Sequence, residues 1–263
     1  MNPSGICARG VDMVFSHGGT DQVVLDGVDL DIPAGGFVTL LGPSGCGKST
    51  LLKILGGLLR PTAGSVRVGE LSAEDAVKSR EIGLVFQRPA LLPWKTATGN
   101  VALLNELVGG RRAKASARAT AEKMLDLVGL ADAGSKIPEK LSGGMAQRVS
   151  IARALALDPT ILLMDEPFGA LDAITRDRMN ASLLDIWSRT GKTVVFVTHS
   201  IAEAVFLSDE IHVMDAGPGR IVESLSVELP RPRTADTLDD PRFVEYEHHL
   251  RKRLGSGATE QTS

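Results

Sequence analysis

The sequence predicts an α/β fold built on a mostly parallel β-sheet. Three observations predict it. Short apolar runs alternate with stretches of helical periodicity. One such run feeds a glycine-rich loop that opens a helix. Another ends in an Asp-Glu pair, as expected where a buried strand reaches the ligand-binding edge of an open sheet. Candidate core strands are residues 38–41, 82–86, 161–164, 193–198 and 211–214. Residues 23–32 and 65–68 are also β-like but read as a separate antiparallel layer.

The helices follow from spacing. Residues 49–59 leave the glycine-rich loop as a helix. Met179, Leu183, Ile186 and Trp187 recur at helical intervals, and Gly191 suits the cap that follows. From Arg88 to about Leu155 the texture is mostly helical, so this stretch reads as a helical subdomain inserted between two core strands. Within it Ala121, Met124, Leu125 and Val128 share one apolar face, and Gly129 ends that helix. Its basic segment, Arg111, Arg112, Lys114 and Arg118, reads as a solvated helix face. There is no internal repeat. Residues 1–230 read as the main domain and 231–263 as a C-terminal extension, with a short helix at 241–254 and a disordered end at 255–263.

With 263 residues, the chain has room for one large domain or two small ones. A net charge of −3 gives no support for general nucleic-acid binding. Of the two cysteines, Cys7 falls near an expected loose N-terminus, and Cys46 lies in the glycine-rich loop, where a disulfide would distort it. Both read as free thiols in a reducing compartment. No signal-peptide pattern opens the chain, and no apolar run approaches the roughly 20 residues that span a bilayer. The expectation is a soluble protein whose membrane role, if it has one, comes through a partner.

Gly42-Pro43-Ser44-Gly45-Cys46-Gly47-Lys48-Ser49 matches the phosphate-binding pattern G-x-x-x-x-G-K-[ST]. Its glycines let backbone N–H groups approach a polyphosphate. Lys48 is suited to the outer phosphates, and the Ser49 hydroxyl to Mg²⁺. The plain alternative, a glycine turn with no ligand, leaves the strand–loop–helix context unexplained. Asp165, after the apolar run Ile161-Leu162-Leu163-Met164, is suited to the Mg²⁺ shell. Glu166 is suited to orient or deprotonate an attacking water. Ser142, Gly143 and Gly144 open a further helix through about Ala156, which makes a second anion site.

At this point the chain resembles the ATP-binding cassette (ABC) ATPases, over about residues 6–225. The stretch from Gly42 to Thr50 resembles the Walker A motif, Leu141 to Gln147 the family signature, and Ile161 to Pro167 Walker B. Gln87 is similar to the Q-loop glutamine, Gly169-Ala170-Leu171-Asp172 to the D-loop, and Thr198-His199 to the H-loop. Phe15 falls where the family places an aromatic that stacks on adenine. The resemblance implies a P-loop NTPase core with an antiparallel β layer and an inserted helical subdomain. It also implies that ATP is bound by residues 42–50, Phe15, Ser142, Gly143, Gly144 and Asp172. Catalysis falls to Glu166, His199, Gln87 and Lys48, and Mg²⁺ to Ser49, Gln87 and Asp165. In the family two such domains pack head to tail, each ATP lying between one P-loop and the other chain's signature helix. Met145 departs from the usual glutamine and Ser200 from the usual aspartate. Ser200-Ile201-Ala202-Glu203 still fits a capping box.

A narrower resemblance points to the nitrate, sulfonate and taurine importer branch. It rests on Ala90-Leu91-Leu92-Pro93-Trp94, on Pro167-Phe168-Gly169-Ala170-Leu171-Asp172, on Gly217 to Val222 and on Leu229-Pro230-Arg231-Pro232-Arg233. It implies a peripheral ATPase at the cytoplasmic face of the inner membrane. Its partners would be a second copy, an integral membrane permease and, indirectly, a solute-binding protein. Trp94 either offers an exposed patch to a permease helix or packs inside the helical subdomain. A non-transport ABC ATPase of DNA maintenance, translation or cofactor assembly is the alternative. A P-loop kinase leaves the signature, Glu166 and His199 without a role.

Overall fold

The computed structural model describes residues 4–256. β1 (Ile6–His17) and β2 (Thr20–Ile32) form a long antiparallel hairpin. β3 (Phe37–Leu41) leads through a loop into α1 (Lys48–Leu55). Next come β4 (Ala63–Val68), the short β5 (Leu71–Ser72), α2 (Ala73–Lys78) and β6 (Ile82–Val85). Between β6 and β7 (Ile161–Asp165) lie α3 (Ala97–Gly109), α4 (Lys114–Leu127) and α5 (Gly143–Leu155). α6 (Ala173–Thr190), β8 (Thr193–Thr198), α7 (Ile201–Leu207) and β9 (Glu210–Asp215) follow. β10 (Arg220–Ser226) and α8 (Pro241–Ser256) end the described chain.

One sheet has the order β10-β9-β3-β8-β7-β6, and the other β2-β1-β4-β5. In the first, β9, β3, β8, β7 and β6 run parallel, and β10 adds an antiparallel edge. The second is antiparallel throughout. The parallel strands are buried on both faces, and their period of two divides them between two cores. Val38, Leu40, Ile161, Leu163, Val195 and Val197 face α1 and the antiparallel sheet. Phe37, Leu162, Met164, Val194 and Phe196 face the helices on the other side. α1 is thus wedged between the sheets, burying Leu51, Leu52, Ile54 and Leu55, and the loop before it sits at the carboxyl edge of the parallel sheet.

The architecture is the predicted one, with instructive differences. The N-terminal stretch at Cys7, expected to be loose, is strand β1, where Cys7 pairs with Asp31 on one side and Arg67 on the other. β10, which enters the sequence analysis only through a resemblance, is a strand. The helix after the loop starts at Lys48 and stops at Leu55, because Gly56 and the left-handed Gly57 turn the chain. Trp94 is 75% exposed, so it does not pack inside the helical subdomain. Gly255 and Ser256 belong to α8, whereas the tail residues 257–263 lie outside the described residues.

His212 on β9 is buried where the sheets meet, its Nδ1 2.7 Å from the Ser224 hydroxyl and its Nε2 3.5 Å from a Glu210 carboxylate oxygen. Burial pushes its pKa down from 6.5 to about 4, against the opposing pull of Asp31. The folded protein therefore takes up this proton later than the unfolded chain as pH falls. Its contribution is unaffected above pH 6.5 and turns destabilising between pH 6.5 and about 4. The loss approaches about 3 kcal/mol at the acid end of that window. Urea unfolding from pH 7 to 4.5 should show that His212→Gln flattens the acid decline relative to the native chain.

Candidate active site

The loop after β3 is shaped by what cannot fit there. A Cβ on Gly42 would lie 2.4 Å from the Met214 carbonyl oxygen and 2.9 Å from Cys46 Sγ. Gly45 and Gly47 adopt φ of 83° and 93°, the left-handed region that other residues enter at a cost. Gly47 is the N-cap of α1, and its carbonyl accepts from Leu51 N at 2.8 Å. Lys48 then lies in the first turn with its ammonium buried. It donates to the Gly42 and Pro43 carbonyls at 2.8 and 2.7 Å. No carboxylate pairs with it among the described residues. The Cys46 thiol packs beneath the loop with its Sγ 3.7 Å from the Lys48 ammonium, and burial raises its pKa against that charge. Thr50 continues the first turn of α1.

β7 brings its acids to this loop. Ser49 Oγ donates to Asp165 Oδ1 at 2.7 Å. Glu166 is a non-glycine residue at φ 42°, held there by its N–H to the Val197 carbonyl at 3.0 Å and by Gly169 N–H to its own carbonyl at 3.1 Å. Such backbone costs roughly 1–3 kcal/mol and persists only where its surroundings enforce it. It turns the carboxylate toward His199, whose Nδ1 lies 3.1 Å from Glu166 Oε2. A Cβ on Gly169 would sit 3.2 Å from Gln87 Nε2 and 3.5 Å from Glu166 Oε2. Gln87 and Glu166 therefore both border Gly169, and Glu166 meets His199, although the three come from different strand ends.

Next to His199 the capping box is half made. Ser200 Oγ accepts from Glu203 N at 3.4 Å, but the Glu203 carboxylate does not return to the N-cap. It accepts from the Thr198 hydroxyl instead, and Thr198 Oγ1 accepts from Ser200 N at 3.0 Å. Burial raises the pKa of Glu203 despite this bond and Arg176. Sequence reasoning misses Thr198 and Glu203 as holders of His199. The signal is present in a threonine hydroxyl one residue before it, able to compete for the box.

A cleft of about 220 Å³ opens above the loop, lined by Val24, Ser44, Gly45, Gly47, Lys48, Ser49, Thr50 and Glu166. Val24 adds to the residues expected from the sequence. Phe15, 40% exposed on β1, does not line the cleft. Nor do Ser142, Gly143 and Gly144. Ser142 caps α5, its Oγ accepting from Met145 N at 3.3 Å, so position 145 contributes only its backbone here. Gly143 and Gly144 back onto Leu171 and Thr175. Asp172 caps α6 through Thr175 N at 3.0 Å, a bond that holds its carboxyl below the usual range.

The sequence profile of the ABC transporter family matches residues 25–169. The taurine import ATP-binding protein TauB of Rhizobium johnstonii is 47% identical over 238 residues, covering 88% of this chain and 89% of that protein. The chain belongs to the ABC transporter family of ATP-binding cassettes. TauB of Yersinia pestis is 49% identical over 203 residues, 77% of this cassette and 78% of that protein. A solved dimer of an ATP-binding cassette in a post-hydrolysis state, bound to ADP and Pi, superposes with a TM-score of 0.74 at 34% identity. It covers 86% of this cassette and all of its own chain. The cassette is thus an ATPase of the transport class, and its likeness to the taurine importer branch holds over most of its length.

Because a Cβ at position 42 collides with backbone, Gly42→Ala should displace the cradle at a cost of about 1–3 kcal/mol in stability. Urea melts give that cost, and titration calorimetry should show ATP binding weakened together with it.

Proposed function

We propose that this cassette is the ATP-hydrolysing subunit of an importer for a small solute of the nitrate, sulfonate or taurine class. It works as a head-to-tail dimer under an integral membrane permease, at the cytoplasmic face of the inner membrane. A solute-binding protein delivers the solute to the permease. The observation that carries the catalytic part is the contact of His199 with Glu166, which lines the same cleft as the buried Lys48.

The cradle fits a nucleotide polyphosphate. Leaving a buried ammonium without a counter-charge costs several kcal/mol, and phosphate oxygens are the chemistry that offsets it. Ser49 and Asp165 fit Mg²⁺, offering a hydroxyl and a carboxylate oxygen 2.7 Å apart, and the Gln87 amide oxygen is the third ligand of this reading. Among the described residues no three His, Cys, Asp or Glu side chains form a metal cage. Mg²⁺ takes few protein ligands and shares phosphate oxygens with the nucleotide. Bound there, Mg²⁺ would neutralise charge on the phosphates. Glu166 orients a water and accepts its proton, and His199 holds the Glu166 carboxylate in place while reaching the terminal phosphate. Ser142, Gly143 and Gly144 stand apart from the cleft, and this supports their use by a second copy: a capped helix tip facing the terminal phosphate of the partner's ATP. A solved cassette among the structural neighbours is a dimer bound to ADP and Pi, which supports a dimeric working unit.

No helix of the described residues is long and apolar enough to cross a membrane. Exposed Trp94, seven residues beyond Gln87, supports a docking role for the Leu91-Leu92-Pro93-Trp94 stretch. An aromatic side chain there gives a permease helix an anchor.

Glu166→Gln should leave ATP binding intact and slow hydrolysis about 10²–10⁴-fold. It should also trap an ATP-dependent dimer on size-exclusion chromatography; an unchanged turnover removes Glu166 from the mechanism. Trp94→Glu should leave basal ATPase activity intact and abolish co-purification with the membrane permease that the unaltered chain binds. Retained co-purification places the docking surface elsewhere.

A further inference from the structure

The Leu229-Pro230-Arg231-Pro232-Arg233 stretch has no part in the nucleotide site, yet it makes a dense set of contacts. α7 has only seven residues, too few to be stable alone, and its last carbonyls need donors. The Ala204 carbonyl is satisfied by Ser208 N at 3.2 Å. The next four carbonyls, those of Val205, Phe206, Leu207 and Ser208, all accept from this stretch. Arg233 Nη1 donates to Val205 O at 3.0 Å, Phe206 O at 3.0 Å and Ser208 O at 2.7 Å. Arg231 Nη2 donates to Leu207 O at 2.8 Å.

Both arginines are themselves held. Arg231 also bonds Asp209 Oδ1 at 2.7 Å, and its guanidinium lies 4.1 Å from the centre of the Trp187 ring. Arg233 is buried and extends Nη2 toward the Val227 and Leu229 carbonyls at 3.4 and 3.5 Å. Burial and the neighbouring Arg231 lower its pKa to about 10, so it remains a cation at neutral pH. A cation suits the negative end of a helix.

The other end of α7 carries the chemistry. Ser200 caps it, Thr198 and Glu203 brace it, and His199 immediately precedes the cap with its ring on Glu166. About 10 Å of helix separates the two ends. We infer that Arg231 and Arg233 are positioning residues for His199, holding α7 from its far end so that the imidazole meets the Glu166 carboxylate. The C-terminal extension thereby enters the hydrolytic site without touching nucleotide. This inference rests on the hydrolytic role proposed for His199.

Arg233→Met and Arg231→Met, in the full-length chain, test it. Three measurements apply: MgATP turnover at saturation, nucleotide affinity, and the ¹⁵N imidazole resonances of His199. Arg233→Met should lower turnover about 10–100-fold, as small displacements of a catalytic group do. Affinity should change less than about twofold, the mark of an interaction used after binding. The His199 Nδ1 resonance should lose its hydrogen-bonded shift. Adding His199→Ala to Arg233→Met should lower turnover no further than His199→Ala alone. A folded Arg233→Met protein with unchanged turnover and unchanged His199 resonances overturns the inference. So do losses that simply add to those of His199→Ala. If His199→Ala itself keeps full turnover, the hydrolytic role of His199 fails, and the resonances alone decide whether the arginines hold the ring. Should Arg233→Met not fold, Arg231→Met, at the more exposed arginine, takes its place: the same losses support the inference, and unchanged turnover with unchanged resonances overturns it.

Discussion

Lys48 sits in the first turn of α1 with its ammonium buried against two backbone carbonyls and no carboxylate to balance it. A charge so placed is costly, and the surrounding structure is arranged around keeping it there. The glycines before it leave room for the carbonyls to turn inward. α1, wedged between the two sheets, holds the lysine at the carboxyl edge of β3. The neighbouring strands β7 and β8 end at the same edge, so the cleft that Lys48 lines also holds Glu166, with Asp165 bonded to Ser49 and His199 to Glu166 behind it.

Strain and bracing at that edge are distributed over distant parts of the chain. The left-handed backbone of Glu166 is held by a carbonyl of β8 and by the turn at Gly169. Thr198 and Glu203 set the start of α7, and two arginines of the C-terminal extension set its end. The contact between Glu166 and His199 thus depends on groups that do not line the cleft, Val197, Gly169, Thr198 and Glu203 among them. Its precision comes from packing and hydrogen bonding in the surrounding layer, as expected where sub-ångström placement governs chemistry.

The phosphate loop is legible in the sequence because it is local. Eight consecutive residues carry the turn, the cation and the hydroxyl, and the flanking strand and helix follow from apolar spacing. The buried strands are legible for the same reason, each being a short apolar run. β1 is hidden because register shifts between Ala8 and Val11, and again at Met13 and Val14, break the alternation by which a strand is recognised. β10 is hidden because it is an edge strand with no fully buried residue, so no apolar face marks it. The carboxylate of Glu203 fits a capping box by its spacing from Ser200. Thr198, brought beside it by the end of β8, offers a better donor.

The sequence alone determined the class of fold and the local turn, cation and hydroxyl of the loop after β3, since those depend on residue type and short-range spacing. Only the tertiary structure decided which distant groups touch. Glu166 meets His199 because β7 and β8 pair in parallel with Asp165 opposite Val197. Arg231 and Arg233 cap α7 because the extension folds back over carbonyls about 25 residues upstream. Contacts of that separation are set by sheet register and helix packing, and no local pattern of residues encodes them.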